Sequence, residues 1–459
     1  MPHAGATETP ATTIRTAARD EGGRRRAATR VIGGRAWHGR RVVAKPGRAS
    51  RPSRAGADRG MVRGMSVVLP GFANVHSHAF QRLMRGAAQR RDPARADTFW
   101  SWRSRMYELA GAMDLAGLEA AARLTYRECL EAGYTAVGEF HYLHHDRDGR
   151  PWPDPVAAAR AHIRAAREVG IRVALLHTVY ACGGIGEPLT PAQRRFATAA
   201  LGDVTRALDL LAAEDDGRRV RIGLAIHSIR AVPREWLGPL AAEARARRMP
   251  IHAHVAEQPA EVAACRAAYG LSPVALLAAE GVVGPDVTFV HATWLDDDDI
   301  QILARSGTRV ALCPTTEADL GDGIARVAEL YRAGVPLCVG SDSHAVIDAL
   351  REVAMCEQLA RLRSGERCVI ADGTGAVAPA LVAIGHDHGY AALGLPADGD
   401  RVTLAGERFF AAVDDPAAAA LTGGHAGLVD RVEVDGVVVV SGGRASSADE
   451  CLGGRPGAI

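Results

Sequence analysis

The sequence predicts an α/β protein built on a (β/α)8, TIM-type barrel with a small β domain attached. Three observations predict it. Eight short β-type runs alternate with Ala-, Leu- and Arg-rich helical stretches, the texture of βαβ units and a parallel sheet. Most of those runs end in residues of the metal-ligand type, as they do where barrel strands reach an active site. No GxGxxG follows any run, which sets aside the nearest competitor, a doubly wound open sheet.

Residues 1–64 come first. Residues 1–65 carry 14 Arg and one Lys against four acidic residues, and Lys45 is the only lysine in the chain. Aromatics are not interleaved with these arginines, so the arm reads as an atypical, solvated and partly disordered segment, not as a nucleic-acid surface. Only Arg30–Val43 hints at strands, a minor contribution to the β domain. From Met65 the texture changes. Strands are expected at Ser66–His78, Tyr134–Phe140, Ile171–His177, Val220–His227, Pro250–Val255, Val287–His291, Thr308–Cys313 and Val335–Asp342. Helices are expected between them at Leu115–Ala132, Pro155–Glu168, Arg194–Ala213, Arg234–Arg248, Pro259–Ala268 and Asp297–Ser306. A helical region then runs to about Gly394. β texture returns at Arg401–Leu404, Phe409–Val413 and Val432–Val440, the last with Asp435-Gly436 at a hairpin turn. The expected division is residues 1–64, a barrel over 65–394 and a β domain over 395–459.

Composition bounds the rest. The 459 residues are 47% hydrophobic and 24% charged, as in folded proteins. No run approaches the roughly 18 apolar residues that span a bilayer, and no apolar h-region opens the chain. We expect a cytoplasmic enzyme with no membrane partner. The eight cysteines form no CxxC pair and read as thiols of a reducing compartment.

The chemistry lies at the strand ends. His76 and His78 stand at i and i+2, so a strand points both imidazoles to one side. With His254 as a third nitrogen and Asp342 as an oxygen ligand, the set suits one zinc ion with a position left for water; iron and manganese stay open. Glu257 follows His254 by three residues, where a carboxylate can reach over the metal and move protons. His227 and His291 end two further strands. Other features are bland. Asp296–Asp299 suits a helix start. His141, His144, His145 and Asp146 lack a closed ligand set, Gly183–Gly186 lacks P-loop spacing, and Cys182 has no evident base.

This pattern resembles the amidohydrolase superfamily: HxH after strand 1, His after strands 5 and 6, Asp after strand 8. No lysine follows Lys45, so the binuclear branch that carries a carboxylated lysine on strand 4 is excluded, and the mononuclear deaminase-like branch remains. Within it, Pro70–Arg82, Phe99-Trp100-Ser101-Trp102-Arg103, Gly138–Tyr142 and His227-Ser228-Ile229-Arg230 resemble the formimidoylglutamate deiminases. So do His252–Gln258, His291-Ala292-Thr293, Cys313–Glu317 and Gly340–Ser343. The resemblance covers about residues 65–440. It implies zinc on His76, His78, His254 and Asp342, and catalytic roles for Glu257, His291 and Asp342. It implies substrate contacts from Gln81, Arg103, Tyr142, His227 and Arg230. The implied reaction is hydrolytic deimination of N-formimino-L-glutamate, with ammonia released, in histidine degradation. Arginine suits its two carboxylates. The implied assembly is a homodimer, and the implied β domain is a sandwich built from both chain termini. Residues 1–64 depart from that pattern; family-like sequence resumes near Met61 or Met65, as from a mis-set start or reading frame. Two alternatives stand beside this reading: another mononuclear deaminase with a guanine-like or guanidino substrate, and a catalytically inactive scaffold.

Overall fold

The structure, a computed structural model, describes residues 12–19, 25–32, 66–91 and 96–445. Strands β1 (Thr12–Arg19) and β2 (Arg25–Ile32) pair antiparallel. The sequence placed no strand before Arg30, and most of Arg30–Val43 lies outside the described residues. Strand β3 (Ser66–Pro70) precedes eight parallel strands: β4 (Phe72–Ser77), β5 (Tyr134–His141), β6 (Arg172–Val179), β7 (Val220–Ile226), β8 (Ile251–Val255), β9 (Val287–His291), β10 (Arg309–Leu312) and β11 (Leu337–Val339). Each pairs with the next in chain order, with helices crossing between most of them. Nearly every residue in these strands is buried, which is why they read as continuous apolar runs and not as alternating ones.

The ring closes between β4 and the end of β11. Ser77 bridges Asp342 in parallel, His78 N–H donates to Asp342 O at 3.0 Å, and Asp342 N–H donates to His76 O at 2.9 Å. Gly340 permits this approach, because a Cβ there would lie 2.7 Å from His76 Cβ and 2.8 Å from His76 N. Small residues line the barrel's interior near its N-terminal end, among them Ala73, Ala136, Ala174 and Ala311. The helix Asp387–Leu393 plugs the space they leave with Tyr390 and Leu393.

The single strand expected over Ser66–His78 is two. The chain breaks at Pro70-Gly71, and β3 leaves the barrel to pair antiparallel with β12 (Arg401–Ala405). Gly71 sits where any Cβ would strike the Thr135 side chain. Strands β13 (Val429–Val434), β14 (Val437–Ser441) and β15 (Arg444–Ala445) complete a five-stranded antiparallel sheet in the order β15-β14-β13-β12-β3. Asp435 (φ 56°) and Gly436 (φ 75°) make the expected turn between β13 and β14, both in the left-handed region that a two-residue hairpin of this kind needs. Two further expectations change. Phe409–Val413 is not a strand: Glu407–Phe410 forms a helical turn that buries Phe410. Arg194–Ala213 is not one helix: Thr190 and Pro191 start a 3-10 turn over Pro191–Phe196, and the helix proper is Leu201–Leu211. Among the described residues, no single helix is long and apolar enough to cross a membrane.

A buried ion pair helps to join sheet and barrel. Arg172, at the start of β6, is fully buried, and its Nη2 lies 2.8 Å from Asp400 Oδ1. Asp400 also accepts from Asp435 N–H at 2.7 Å and from the Tyr390 hydroxyl.

Candidate active site

At the C-terminal ends of the barrel strands, ring nitrogens converge on one carboxylate. His76 Nε2 and His78 Nε2 each lie 3.4 Å from Asp342 Oδ1. His254 Nε2 stands 3.0 Å from His76 Nε2. The outer nitrogens fix the tautomers: His78 Nδ1–H donates to Phe140 O at 3.0 Å and His254 Nδ1–H to His227 O at 2.9 Å. That turns an Nε2 lone pair inward on each ring, as metal-ligating histidines require. Burial lowers His76 to about 3 and lowers His78 and His254 as well, so all three rings are neutral. Burial alone would raise Asp342, but its hydrogen bond to His76 and the surrounding imidazoles hold it well below the usual carboxylate range. Three neutral imidazoles and one ionised carboxylate, all buried, are a donor set that fits a divalent ion such as zinc.

Two more groups face this cluster. Glu257 Oε1 lies 3.8 Å from His291 Nε2, and His291 Nε2 lies 3.9 Å from Asp342 Oδ2. Burial raises the Glu257 carboxyl. Burial would lower His291, but Glu257, Glu317 and Asp342 outweigh it and push the ring up to about 10. His291, Ala292 and Asp342 have φ of 70°, 50° and 49°, and Ala256, beside Glu257, has 51°. Left-handed backbone at non-glycine residues stores strain, and such residues gather at functional sites.

Above the cluster lies a cavity of about 300 Å3. Gln81, Arg103, Tyr142, His227 and Arg230 all face it, as do His78, His254, Glu257, His291 and Asp342. Of the residues singled out from the sequence, only His76 is not on the wall; it lies beneath, fully buried. Gln81 Nε2 donates to the Tyr142 hydroxyl at 2.9 Å. Arg230 Nη2 lies 3.4 Å from Glu257 Oε2. The Arg103 guanidinium stacks 4.4 Å from the Trp100 ring and 5.6 Å from Tyr107. His141, His144 and His145 do not join the site: His144 and His145 donate Nε2–H to the carbonyls of Thr178 and Ala197.

Sequence reading missed three participants. Glu317 lies 3.3 Å from His291 Nδ1 and accepts from Cys313 N–H at 2.8 Å. Glu261, buried, accepts from Ala256 N–H at 3.0 Å and lies 3.4 Å from Arg230 Nε. Tyr180 packs its ring 4.5 Å from His227. Glu317 ends the Cys313–Glu317 motif and Glu261 follows Glu257 by four residues, but both sit in the first turn of a helix, where an acid is ordinary; Tyr180 had no signal.

A model of the amidohydrolase family matches residues 67–397. The chain belongs to the amidohydrolase family. A formimidoylglutamate deiminase from Pseudomonas aeruginosa is 39% identical over 301 residues, spanning 65% of this chain and 66% of that protein. An 8-oxoguanine deaminase from the same organism is 30% identical over 304 residues, spanning 65% of each chain. This amidohydrolase thus spans slightly less than two thirds of either relative's length. A crystal structure of an amidohydrolase from Brucella melitensis aligns with a TM-score of 0.76 at 37% identity, covering 82% of this chain and 86% of that one. An adenosine deaminase from Xanthomonas campestris, with bound zinc, aligns with a TM-score of 0.70 at 21% identity, covering 83% and 82%. At that identity the likeness is one of fold.

Proposed function

We propose that this amidohydrolase converts N-formimino-L-glutamate and water to N-formyl-L-glutamate and ammonia, as a step of histidine degradation. The observation that carries the reading is that Arg103 and Arg230 both line the cavity over His76, His78, His254 and Asp342. Two guanidinium groups suit a substrate with two carboxylates. The similarity to a formimidoylglutamate deiminase supports the same substrate.

A zinc ion held by His76, His78, His254 and Asp342 would supply a water activated near neutral pH and a Lewis acid beside the imine carbon. The chain's own residues do the rest. Gln81, Tyr142, His227 and the two arginines orient the substrate over the cluster. Asp342, ionised, takes the proton of the attacking water. His291, charged, donates a hydrogen bond to the oxygen that becomes the formyl carbonyl. Glu257, whose carboxyl burial raises, passes a proton to the imine nitrogen and then takes the proton of the adduct's hydroxyl group. The proton held by Asp342 passes to the same nitrogen, the C–N bond breaks, the formyl carbonyl forms and ammonia leaves.

The test is ammonia release from N-formimino-L-glutamate by zinc-loaded protein, with N-formylglutamate identified by mass spectrometry. N-formimino-L-aspartate and 8-oxoguanine run alongside. Turnover of the glutamate compound is expected. Bound zinc with ammonia only from 8-oxoguanine would move the assignment to a purine deaminase, the class of the second relative. No ammonia from any of the three would sink the substrate assignment.

A further inference from the structure

The barrel's closing seam carries less backbone pairing than its other junctions. β5 and β6 share six paired positions and β6 and β7 share seven, whereas β4 meets the segment after β11 through one bridge. Yet this seam brings His76 and His78 to Asp342. Something other than a strand ladder must fix it.

Side chains do so in an unbroken line. Asn74 Nδ2–H donates to Ser341 Oγ at 2.6 Å, and Ser341 N–H returns a bond to Asn74 Oδ1 at 2.9 Å. Ser341 Oγ lies 2.8 Å from His344 Nδ1, and His344 Nε2 lies 2.8 Å from Ser77 Oγ. Ser77 Oγ–H donates to Glu139 Oε2 at 2.7 Å. Glu139 also accepts from Ala79 N–H at 3.0 Å and from the Tyr126 hydroxyl at 3.1 Å.

The line has one direction. With Ser77 donating to Glu139, its oxygen receives the Nε2–H of His344. That leaves His344 Nδ1 as acceptor for the Ser341 hydroxyl, which in turn receives the amide of Asn74. Each donor and acceptor in the line is satisfied by one tautomer, the condition under which a buried polar network fixes a unique geometry. Asn74, Ser77, Glu139, Ser341 and His344 are all buried, and none lines the cavity.

Their placement gives the line a purpose. Ser77 sits between His76 and His78 and points to the opposite side of the strand, so it grips that pair from behind. Ser341 directly precedes Asp342 and His344 follows it by two residues, in the irregular segment after β11. We propose that Glu139, Ser77 and His344 are positioning residues that lock β4 to the segment after β11 and thereby hold His76, His78 and Asp342 in register for the metal. This rests on the metal-site reading above.

The test measures zinc affinity by competition with a chromophoric chelator, alongside the melting temperature of the metal-free protein. Glu139→Gln puts an N–H where two hydroxyl donors meet. Ser77→Ala cuts the line at its centre. Both are expected to weaken zinc binding tenfold to a hundredfold, the scale of outer-shell partners. Tyr126→Phe removes a hydrogen bond from the same buried carboxylate but leaves the Ser77–His344 link intact. It is expected to lower the melting temperature comparably and to keep zinc affinity within about twofold. Native-level zinc affinity in both Glu139→Gln and Ser77→Ala would overturn the proposal. Equal zinc loss in Tyr126→Phe would also overturn it, because general destabilisation would then suffice. An unaltered chain that takes up no zinc would instead bring down the metal-site reading itself.

Discussion

Burial raises the cost of ionising any carboxyl group, and the pocket separates two acids by what opposes that cost. Asp342 has imidazoles around it and stays ionised. Glu257 is raised, with Asp342 and Glu317 adding to burial and His291 and Arg230 opposing it. Paired carboxyls pushed apart in this way mark acid and base roles. Replacing Glu257 with Gln is therefore expected to lower kcat by about 10²–10⁴-fold, the range for one general acid–base group. Zinc content, measured by atomic absorption, should stay at the native level, since Glu257 is outside the ligand cluster. At this scale the sequence was legible wherever a residue type is rare and position-bound. A histidine or aspartate at the end of a strand stands out. Glu317 and Glu261 did not, because an acid in the first turn of a helix has an ordinary electrostatic explanation.

Elements obey the same division. The parallel strands were visible because burial on both faces demands unbroken apolar runs. The break at Pro70-Gly71 was not, since Ser66–Pro70 and Phe72–Ser77 are both β-type and adjoin. Pro70-Gly71 is a turn signal that these flanks masked, and the burial pattern separates them as well: β3 alternates at its start, while β4 is buried throughout. Phe409–Val413 misled for the opposite reason, as aromatic β propensity gave way to the burial of Phe410 in a helical turn. The closing seam gives this scale its prediction. Gly340→Ala forces a methyl to within 2.7 Å of His76 Cβ. Overpacking of this kind costs about 1–3 kcal/mol. Chemical denaturation should show that loss, together with weakened zinc retention; a variant as stable as the native chain would mean that the seam can widen freely.

At the scale of the whole molecule, protonation sets a pH window for stability. Burial lowers His141 and His144 below their ordinary values, His162 and His344 to about 3, and His177 and His252 to about 4. The unfolded chain binds these protons near pH 6.5, the folded one does not, so stability is present above that value and drains as pH falls toward 3–4. Burial acts oppositely on Glu139 and Glu352, raised to about 7 and about 8. Their contribution is complete below the unfolded carboxyl value and is lost as pH rises through the folded one. The histidines are more numerous, so the melting temperature of the metal-free protein should fall between pH 6.5 and 4.5 in calorimetry; a flat or rising profile would contradict their neutrality. The joint between barrel and sheet is the other global determinant. Asp400→Ala removes the nearer of two carboxylates from the buried Arg172 and leaves only Asp435 at 3.7 Å; breaking a buried pair costs up to about 3–5 kcal/mol, read as a lowered denaturation midpoint.

The pairing of β3 with β12 also has a consequence in time. Ser66–Pro70 meets a partner roughly 330 residues further along the chain, and synthesis proceeds at about 5–20 residues per second. For tens of seconds the nascent chain carries a β edge whose partner does not yet exist. The whole barrel is made during that wait. Ribosome-bound intermediates halted before residue 401 should therefore expose Ser66–Pro70 to chaperones and proteases, and release from that exposure should coincide with the emergence of β12.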